Sequence, residues 1–540
     1  MLKNKFLPYA LLAVSPAVFA APPLGAGNMQ QIPQIPAQQQ AVPALEAKPV
    51  SPAGMTAPDN SRIIVNRLRI TGAKVYSEAD LLAVTGFQPG RELSLTDLRG
   101  MAARIADYYH RSGYFVAQAY LPAQDIKDGI VTIAVIDGQY GKVTLNNKTN
   151  VSNNLANGLL SGLNSGDVVA SEPLEHRLLL LSDLPGVKVN STLVPGATVG
   201  SSDLIVNLTQ GPRISGSIDA DNAGNYYTGE YRLGATVNYN EPLGLGDVAS
   251  LRVLTSGKGL NYARGSYQLQ LGKATVGAAY SAMEYELSRG VYEGAGYNGT
   301  VKVASLYASY PLIRSRNNNL YAGLNYDDKT FEDNINSTTL RDKKAQVLTA
   351  SLYGNRRDSL GGGGVTGYSL ALSAGNIDNN NAGEINGNFN KLAFNLSRLQ
   401  RVTDTVSLSA VASGQLASTA LDSSEQMELG GMYNVRAYPE GEGYGDEGVV
   451  LNVEARLQVP KFSESMPGQL QLIGFVDAGT VRAHNAANRR TLSGAGVGLN
   501  WSDTNNFMVR AYYAYKLGDE VATSAPDKSG RFWVQAVKYF

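Results

Sequence analysis

Residues 449–459 read VVLNVEARLQV, and this strict alternation decides the fold class. Val449 and Leu451 fall on one face of an extended chain, and Asn452 and Glu454 fall on the opposite face. Because successive side chains of a β-strand point to opposite faces, the segment predicts a strand with one apolar and one polar face. The same alternation recurs through the C-terminal part of the chain, which indicates a large antiparallel sheet.

Residues 211–540 contain about sixteen alternating segments of roughly ten residues, the length of a tilted strand that crosses a bilayer. An even number of such strands can close into a barrel that leaves no sheet edge unpaired in lipid. A soluble β-sandwich also shows alternation. The strand number, an N-terminal export signal and an aromatic last strand favour a membrane β-barrel of about 16 antiparallel strands. We expect Phe540 to act as its C-terminal assembly signal.

The N-terminus has two segments that precede any folded domain. Residues 1–20 have a basic start, a short apolar stretch and a small-x-small site ending at Ala20, as a secretory signal peptide does. The apolar run is too short for a transmembrane helix. Residues 21–60 are rich in Pro, Gln and Ala and predict an extended, mobile tether, with room for only a short helix over 24–32.

The region between the tether and the barrel predicts two small α+β domains, 61–138 and 139–210, each with the order β-α-α-β-β. In the first domain, one strand is expected over 63–70, and the second helix begins at the capping-box-like Ser94–Asp97. The remaining elements follow from apolar periodicity. They are a helix after Ser77, strands over 115–121, 130–136, 143–145, 187–194 and 204–208, and helices over 153–160 and 173–181.

Composition and motifs exclude several classes of function. The chain has 540 residues with 46 basic and 46 acidic side chains, so it shows no basic footprint for nucleic acid. It has no cysteine and three separated histidines, which leaves no thiol chemistry and no spacing for a metal site. Gly362–Gly367 matches a dinucleotide fingerprint only formally, because it precedes a strand. We expect no enzyme, no cofactor and no metal, and we expect Asp446 and Glu447 to be solvated loop charges.

Three short motifs lie in a fixed order along the chain. They are LSDLPGV at 181–187, GGMYNVRAY at 430–438 and FVDAG at 475–479. Together with two β-α-α-β-β units and sixteen predicted strands, they resemble the two-partner secretion outer-membrane transporters, the TpsB family of haemolysin-activation and secretion proteins. The resemblance covers nearly the whole mature chain and identifies the two small domains as similar to polypeptide-transport-associated (POTRA) repeats.

The resemblance implies a pore in the Gram-negative outer membrane with the POTRA-like domains in the periplasm. Such a pore exports a large TpsA-like exoprotein, an adhesin, haemolysin or contact-dependent toxin, to the cell surface. It implies further partners: the barrel-assembly machinery and periplasmic chaperones during biogenesis, and the lipid bilayer, with the chain acting as a monomer. A barrel insertase of the same superfamily is an alternative, although insertases carry more POTRA units, and a passive porin is a third hypothesis.

The resemblance also implies a lock between the long loop, 414–448, and the barrel wall. The loop would fold into the lumen, where Arg436 needs an acceptor. Alternation points Glu454 and Asp477 inward, and a planar guanidinium suits a carboxylate. A solvated loop arginine is the alternative, and Ala437 replaces the glycine that is usual in the family. The expected lock residues are Val435, Arg436, Tyr438, Glu454, Phe475, Asp477 and Gly479.

A binding site for the exported partner is expected on the second small domain. An exposed sheet edge can add an extended segment as an extra strand, which captures a chain with little demand on its side chains. The candidate surface combines a strand and a helix. Its residues are Val143, Leu145, Leu174, Leu178 and Leu181.

Overall fold

A computed structural model of the protein describes Ala26, Ala44–Ala47, 62–380 and 384–540. The predicted signal peptide, 1–20, lies outside the described residues, as does most of the predicted tether. The described residues form two compact units, one within Ala41–Gly211 and the other made by Pro212–Phe540 with Ala26. Within the described residues, no helix has the length and hydropathy needed to cross a membrane.

The Ala41–Gly211 unit is built from short strands and four α-helices. Its helices are α1 (Glu78–Thr85), α2 (Leu95–Arg111), α3 (Asn153–Leu160) and α4 (Ser171–Ser182). Its strands are β1 (Ala44–Ala47), β2 (Arg62–Val65), β3 (Arg67–Thr71), β4 (Arg91–Ser94), β5 (Gln118–Tyr120), β6 (Ile130–Ile136), β7 (Gln139–Lys148), β8 (Val187–Pro195) and β9 (Ser201–Gln210). The strands form sheets ordered β3-β6-β5 and β1-β8-β9-β7, with β2 paired to β4.

The two sheets repeat one topology. In each sheet the first strand of the round runs parallel to the last one, β3 beside β6 and β7 beside β9, and the middle strand pairs antiparallel. Each sheet has its own apolar core, the first around Ile105 and the second around Leu174. The β-α-α-β-β order expected from the sequence is therefore present in both sheets, and the first round has an additional strand, β4, between its helices.

Helix α2 shows how local sequence sets an element. Ser94 accepts a hydrogen bond from the Asp97 N–H, and the Asp97 side chain accepts one from the Ser94 N–H, so both ends of a capping box are present. Leu98 and Ile105 lie on the buried face of the helix. Gly113 follows the helix with φ 93°, a left-handed conformation that glycine adopts without strain.

Two predictions in this unit were wrong. The single strand expected over 63–70 is two strands, β2 and β3, which belong to different sheets and are separated at Asn66. The tether prediction also failed at Ala44–Ala47, which pairs in parallel with β8 at the edge of the second sheet. An extended segment without apolar periodicity can still join a sheet because main-chain hydrogen bonds supply the pairing.

The C-terminal unit is a closed barrel. Among the described residues, sixteen strands close it, and β27 pairs with β10 so that no edge is left. The strands are β10 (Ile214–Asp221), β11 (Arg232–Asn240), β12 (Val248–Thr255), β13 (Leu260–Leu271), β14 (Ala274–Glu286), β15 (Tyr297–Arg314), β16 (Asn318–Ile335), β17 (Thr338–Asp358), β18 (Gly364–Asn379), β19 (Gly387–Arg401), β20 (Val406–Ala417), β23 (Glu447–Val459), β24 (Gln469–Arg482), β25 (Arg490–Asp503), β26 (Phe507–Lys516) and β27 (Gly530–Tyr539). Two further strands, β21 (Met427–Glu428) and β22 (Tyr444–Gly445), pair with each other between β20 and β23.

The barrel confirms the predicted class and corrects the predicted strand length. Strand β17 has 21 residues, about twice the expected length, so it extends well beyond a hydrocarbon layer. Along β23, Leu451 is 46% exposed and Glu454 is 8% exposed. The apolar face therefore points out of the barrel and the polar face points into it, as the alternation predicts for a lipid-embedded strand.

Candidate functional site: the loop inside the barrel

The longest connection in the barrel, hereafter the long loop, runs over 418–446 and is shorter than the predicted 414–448. It contains a 3-10 turn at Ser423–Glu425 and the short β21–β22 pairing. Most of its side chains are buried, including Val435 and Tyr438 at 0% exposure. A long loop without a core of its own can be buried only where surrounding protein satisfies its backbone.

Arg436 lies near the tip of this loop and contacts two carboxylates of the barrel wall. Its Nη2 and Nε lie 2.7 and 2.8 Å from the Oδ1 and Oδ2 atoms of Asp477 on β24. Its Nη1 lies 2.6 Å from Oε1 of Glu454 on β23. The fork on Asp477 is bidentate, and a lysine ammonium could not reproduce this planar geometry.

The environment of this contact excludes water. Arg436 is 4% exposed and Asp477 is 0% exposed. The guanidinium carbon lies 3.5 Å from the ring centre of Phe475, whose ring meets that of Tyr512 edge-on. Burial alone would lower the pKa of Arg436, but hydrogen bonding and the charge of Asp477 raise it above its usual value. The guanidinium is therefore always charged, and its acceptors must stay in place.

The other expected lock residues pack around Arg436. The Val435 N–H donates to the Leu429 carbonyl, and the Tyr438 hydroxyl donates to the Glu520 carbonyl. A Cβ on Gly479 would lie 2.5 Å from Cδ1 of Leu429, so only glycine lets the loop approach β24 this closely. The structure thus brings all seven predicted residues to one place.

Ala437 does not create the strain that its replacement of glycine suggested. Its φ is not positive, so an alanine fits the backbone. The Ala437 Cβ packs directly over Gly494 on β25. The small residue that this approach requires lies on the wall and not on the loop.

Three wall residues that sequence reasoning missed complete the site. Asn452 donates to Oδ1 of Asp477 at 2.8 Å and to the Asn434 carbonyl at 2.7 Å. Trp533 Nε1 donates to the Arg436 carbonyl at 2.7 Å, and Arg456 bonds the second oxygen of Glu454. Asn452 shares the inward face of β23 with Glu454, so alternation could have identified it. Trp533 is 97 residues away in sequence, and no local pattern indicates its contact.

The returning limb of the long loop is held by the connection between β26 and β27. Glu442 is 1% exposed and accepts hydrogen bonds from the backbone and side-chain groups of Thr523 and Ser524. Arg490 on β25 also bonds Glu442. This carboxylate joins two loops that close the same end of the barrel.

The expectation that Asp446 and Glu447 are solvated was wrong. Asp446 is 1% exposed and accepts hydrogen bonds from the Leu421 N–H and the His484 N–H. Glu447 bonds Arg482. Asp446 therefore joins the two limbs of the long loop at its base, where a solvated charge could not hold them.

Two further acidic residues of the long loop are Glu428, which is 5% exposed, and Glu440, which is partly buried. Burial and the neighbouring Glu440 charge raise the pKa of Glu428 well above its usual value. Burial raises the pKa of Glu440 to about 7, with Arg232 opposing the rise and Asp221 adding to it. This part of the loop therefore carries a charge that changes near neutral pH.

The expected partner-binding residues require a correction. Leu174, Leu178 and Leu181 on α4 are 0%, 3% and 0% exposed, and they pack in the core of the second sheet. They cannot touch a partner because burying them is what joins the helix to the sheet. Val143 and Leu145 are partly buried on β7, which pairs with β9 and is an edge strand of its sheet. Only the strand half of the predicted surface stays available.

Two further features predicted from the sequence, the short helix over 24–32 and the C-terminal assembly signal, involve the barrel unit. Ala26, in a helical conformation, is 0% exposed, and its N–H donates to Oδ1 of Asp333 on β16 at 2.7 Å. It packs with apolar lumen residues such as Phe331. The Phe540 N–H and carbonyl bond Gly216 on β10, so the last residue extends the seam that closes the barrel.

The described residues contain no group of three or more side chains suited to hold a metal ion. The site is an ionic and apolar contact between a loop and the barrel wall.

Comparison with known proteins decides the family. The sequence profile of the haemolysin secretion/activation protein family ShlB/FhaC/HecB matches residues 200–501, and that of the ShlB-type POTRA domain matches residues 63–138. The chain belongs to this family. It is an outer-membrane transporter of two-partner secretion, and the part that carries the POTRA domain lies in the periplasm. The members of this family are transporters.

Individual relatives agree with this assignment. The chain is 30% identical to the heme/hemopexin transporter protein HuxB of Haemophilus influenzae (strain 86-028NP), over 84% of this chain and 82% of that one. It is 24% identical to the outer membrane transporter CdiB of Dickeya dadantii (strain 3937), over 81% of this chain and 79% of that one. The structure of CdiB from Escherichia coli shares the fold, with a TM-score of 0.70 at 20% identity over 91% of this chain and 94% of that chain.

Proposed function

We propose that this transporter holds its pore closed with the long loop and that Arg436 is the contact that must be released during export. The single observation that supports this role is the bidentate Arg436–Asp477 pair, completed by Glu454 and fully enclosed by protein. Breaking one partner of such a pair typically costs ~3–5 kcal/mol, because the survivor is left charged and unpaired. Release must therefore free Arg436 from Asp477 and Glu454 together, because leaving one charge buried and unpaired is costly.

The partner is a TpsA-like exoprotein that crosses the barrel in an extended form. We place its first contact on the open edge of β7 around Val143 and Leu145, where a segment can pair through its backbone. The opposite edge of the same sheet shows that such pairing is possible, since Ala44–Ala47 already adds a strand to β8. Main-chain pairing would accept many different partner sequences.

The remaining parts of the proposal concern assembly and chemistry. The protein is not an enzyme and works as a monomer without nucleic acid. The barrel-assembly machinery and periplasmic chaperones insert it, and the exposed Phe540 at the barrel seam is the assembly signal. The periplasmic part comprises two POTRA-like domains, 61–138 and 139–210, each built on its own sheet.

A deletion strain tests this function. We expect one large protein to disappear from the culture supernatant on deletion and to return when the full chain is restored. A chain that lacks 62–210 should insert as a heat-modifiable barrel and fail to restore secretion. An unchanged supernatant together with a general loss of other outer-membrane barrels would instead identify an insertase.

A further inference from the structure

A second ionic contact holds the first limb of the long loop to another part of the wall. The acidic turn, Asp422–Glu425, meets three lysines from strands β16, β17 and β19, here called the lysine group. The Nζ atoms of Lys329 and Lys391 each lie 2.8 Å from a Glu425 oxygen, and that of Lys343 lies 2.7 Å from Asp422.

All five charged side chains in this contact are removed from water. The lysines are 6%, 4% and 8% exposed in chain order, and the two carboxylates are 4% and 3% exposed. Burial alone would raise the pKa of Glu425, but the charges of Lys329 and Lys391 outweigh it and lower the pKa to about 2. The Glu425 carboxylate therefore stays ionised at any pH at which the cell grows.

Further hydrogen bonds tie the same turn to the base of the loop. Gln415 donates from Nε2 to the carbonyls of Glu425 and Asp446. Asp446 accepts from the Leu421 N–H at 3.0 Å and from Gln426 Nε2 at 2.7 Å. None of these bonds involves Arg436 or its partners, so loss of the Arg436 contact leaves the turn bound.

The two ionic contacts lie on different strands. Arg436 bonds β23 and β24 and accepts from Trp533 on β27, while the acidic turn bonds β16, β17 and β19. In the closed barrel, β18 lies between β17 and β19, and β20 lies between β19 and β23. The two ionic contacts therefore share no strand. The Arg436 contact and the acidic turn can therefore be broken one at a time, and release of the tip also frees Glu442 from Arg490 on β25.

We propose that the lysine group is an anchoring site for the long loop, and that the tip moves about the acidic turn while the turn stays docked. This inference rests on the proposed function, in which release of Arg436 starts export. Opening then clears the lumen beside β23, β24 and β27 and leaves it filled beside β16, β17 and β19. The exported chain passes along the cleared side.

The absence of cysteine in the chain allows a direct test. Val435→Cys reports on the tip and Ser424→Cys on the acidic turn, and both positions are 0% exposed. In the purified full-length protein, each is labelled with a membrane-impermeant maleimide, with and without Arg436→Ala. We expect Arg436→Ala to speed labelling at position 435 at least about tenfold and to leave position 424 protected, since ~1.4 kcal/mol already gives tenfold. Equal acceleration at both positions would overturn the anchoring role.

Reversal of one ion pair provides the second arm. Asp422→Lys alone should expose Ser424→Cys to the maleimide, and adding Lys343→Asp should restore its protection. Lys343→Met removes the charge and keeps the length of the side chain. It replaces the charge-reversal variants if these do not form a heat-modifiable barrel. Unchanged protection of Ser424→Cys in Asp422→Lys or Lys343→Met would overturn the proposal. Labelling does not depend on secretion, so a failure of the export hypothesis is recognised separately.

Discussion

The periplasmic unit and the barrel use leucine in opposite ways. Leu174 and Leu181 are fully buried in the second small sheet, whereas Leu451 and Leu457 on β23 are each 46% exposed on the outer surface of the barrel. The barrel unit also buries charged residues such as Arg436 and Asp477. The surroundings, water for one unit and lipid for the other, therefore decide which face of an element is apolar.

The largest effect is expected when the ionic interior of the barrel is broken. Arg436→Ala and Asp477→Ala should each abolish most secretion while the barrel stays in the membrane, because export needs a loop that docks again after each release, and each change leaves a buried charge unpaired in the docked state at a cost of ~3–5 kcal/mol. The double variant should be little worse than either single one, since the two residues act as one unit. Partner secretion normalised to barrel abundance measures this.

Arg436→Lys is the matched control for charge. It should restore only part of the secretion, because an ammonium lacks the planar fork that binds both oxygens of Asp477. Strictly additive losses from Arg436→Ala and Asp477→Ala would contradict the pairing.

The apolar core of the periplasmic unit should respond to a different change. Leu174→Ala should destabilise the second small domain by about 2–5 kcal/mol through the cavity that it leaves. Leu451→Ala, the same substitution on the lipid face of β23, should leave both units folded. Protease resistance of the periplasmic unit and heat modifiability of the barrel separate the two outcomes, and equal loss of protease resistance would refute the contrast.

A smaller effect is expected where the loop tip meets the wall. Gly494→Ala adds a methyl group that collides with the Ala437 Cβ, and such overpacking typically costs about 1–3 kcal/mol. Gly265→Ala on β13 is the control, because a Cβ there has no neighbour within 4 Å. Single-channel recordings should show more frequent openings for Gly494→Ala than for Gly265→Ala. Identical channel recordings for the two variants would contradict the close contact between Ala437 and Gly494.

The smallest effect concerns pH. The pKa of Glu440 is raised by burial to about 7, and that of Glu428 is raised as well, so docking of the tip is favoured while both carry protons. This contribution is fully present below the usual glutamate pKa of 4.5 and is lost as pH rises through about 7. The free energy of docking the tip changes by at most about 1.4 kcal/mol per pH unit for each of the two glutamates. Channel openings should therefore increase between pH 6 and 8.

Glu440→Gln removes this titration and should flatten the pH profile. Glu425→Gln tests the lysine group instead, and because the pKa of Glu425 lies at about 2, its effect should not vary over the same pH range. A pH profile that Glu440→Gln leaves unchanged would assign the titration to other groups.

Much of the site could be predicted from the sequence, and the limits have physical causes. Alternation placed Glu454 and Asp477 inside the barrel because strand periodicity is a local property. Periodicity failed for Leu174 on α4. Helical periodicity shows which face of a helix is apolar, but it does not show whether a partner or the domain's own sheet covers that face. Lys329, Lys343 and Glu425 were missed because their pairing joins strands and a loop far apart in sequence.

Local sequence is enough to predict the alternation of the barrel strands, the capped helix α2 and the motifs around Arg436 and Asp477. These depend on chain geometry over a few residues, which the residues themselves encode. Three features are visible only in the tertiary structure: β1 pairs with the edge strand β8, Asp446 is buried, and the acidic turn contacts the lysine group. Those contacts exist because closing the barrel brings distant strands around one enclosed loop, where every buried charge must find a partner.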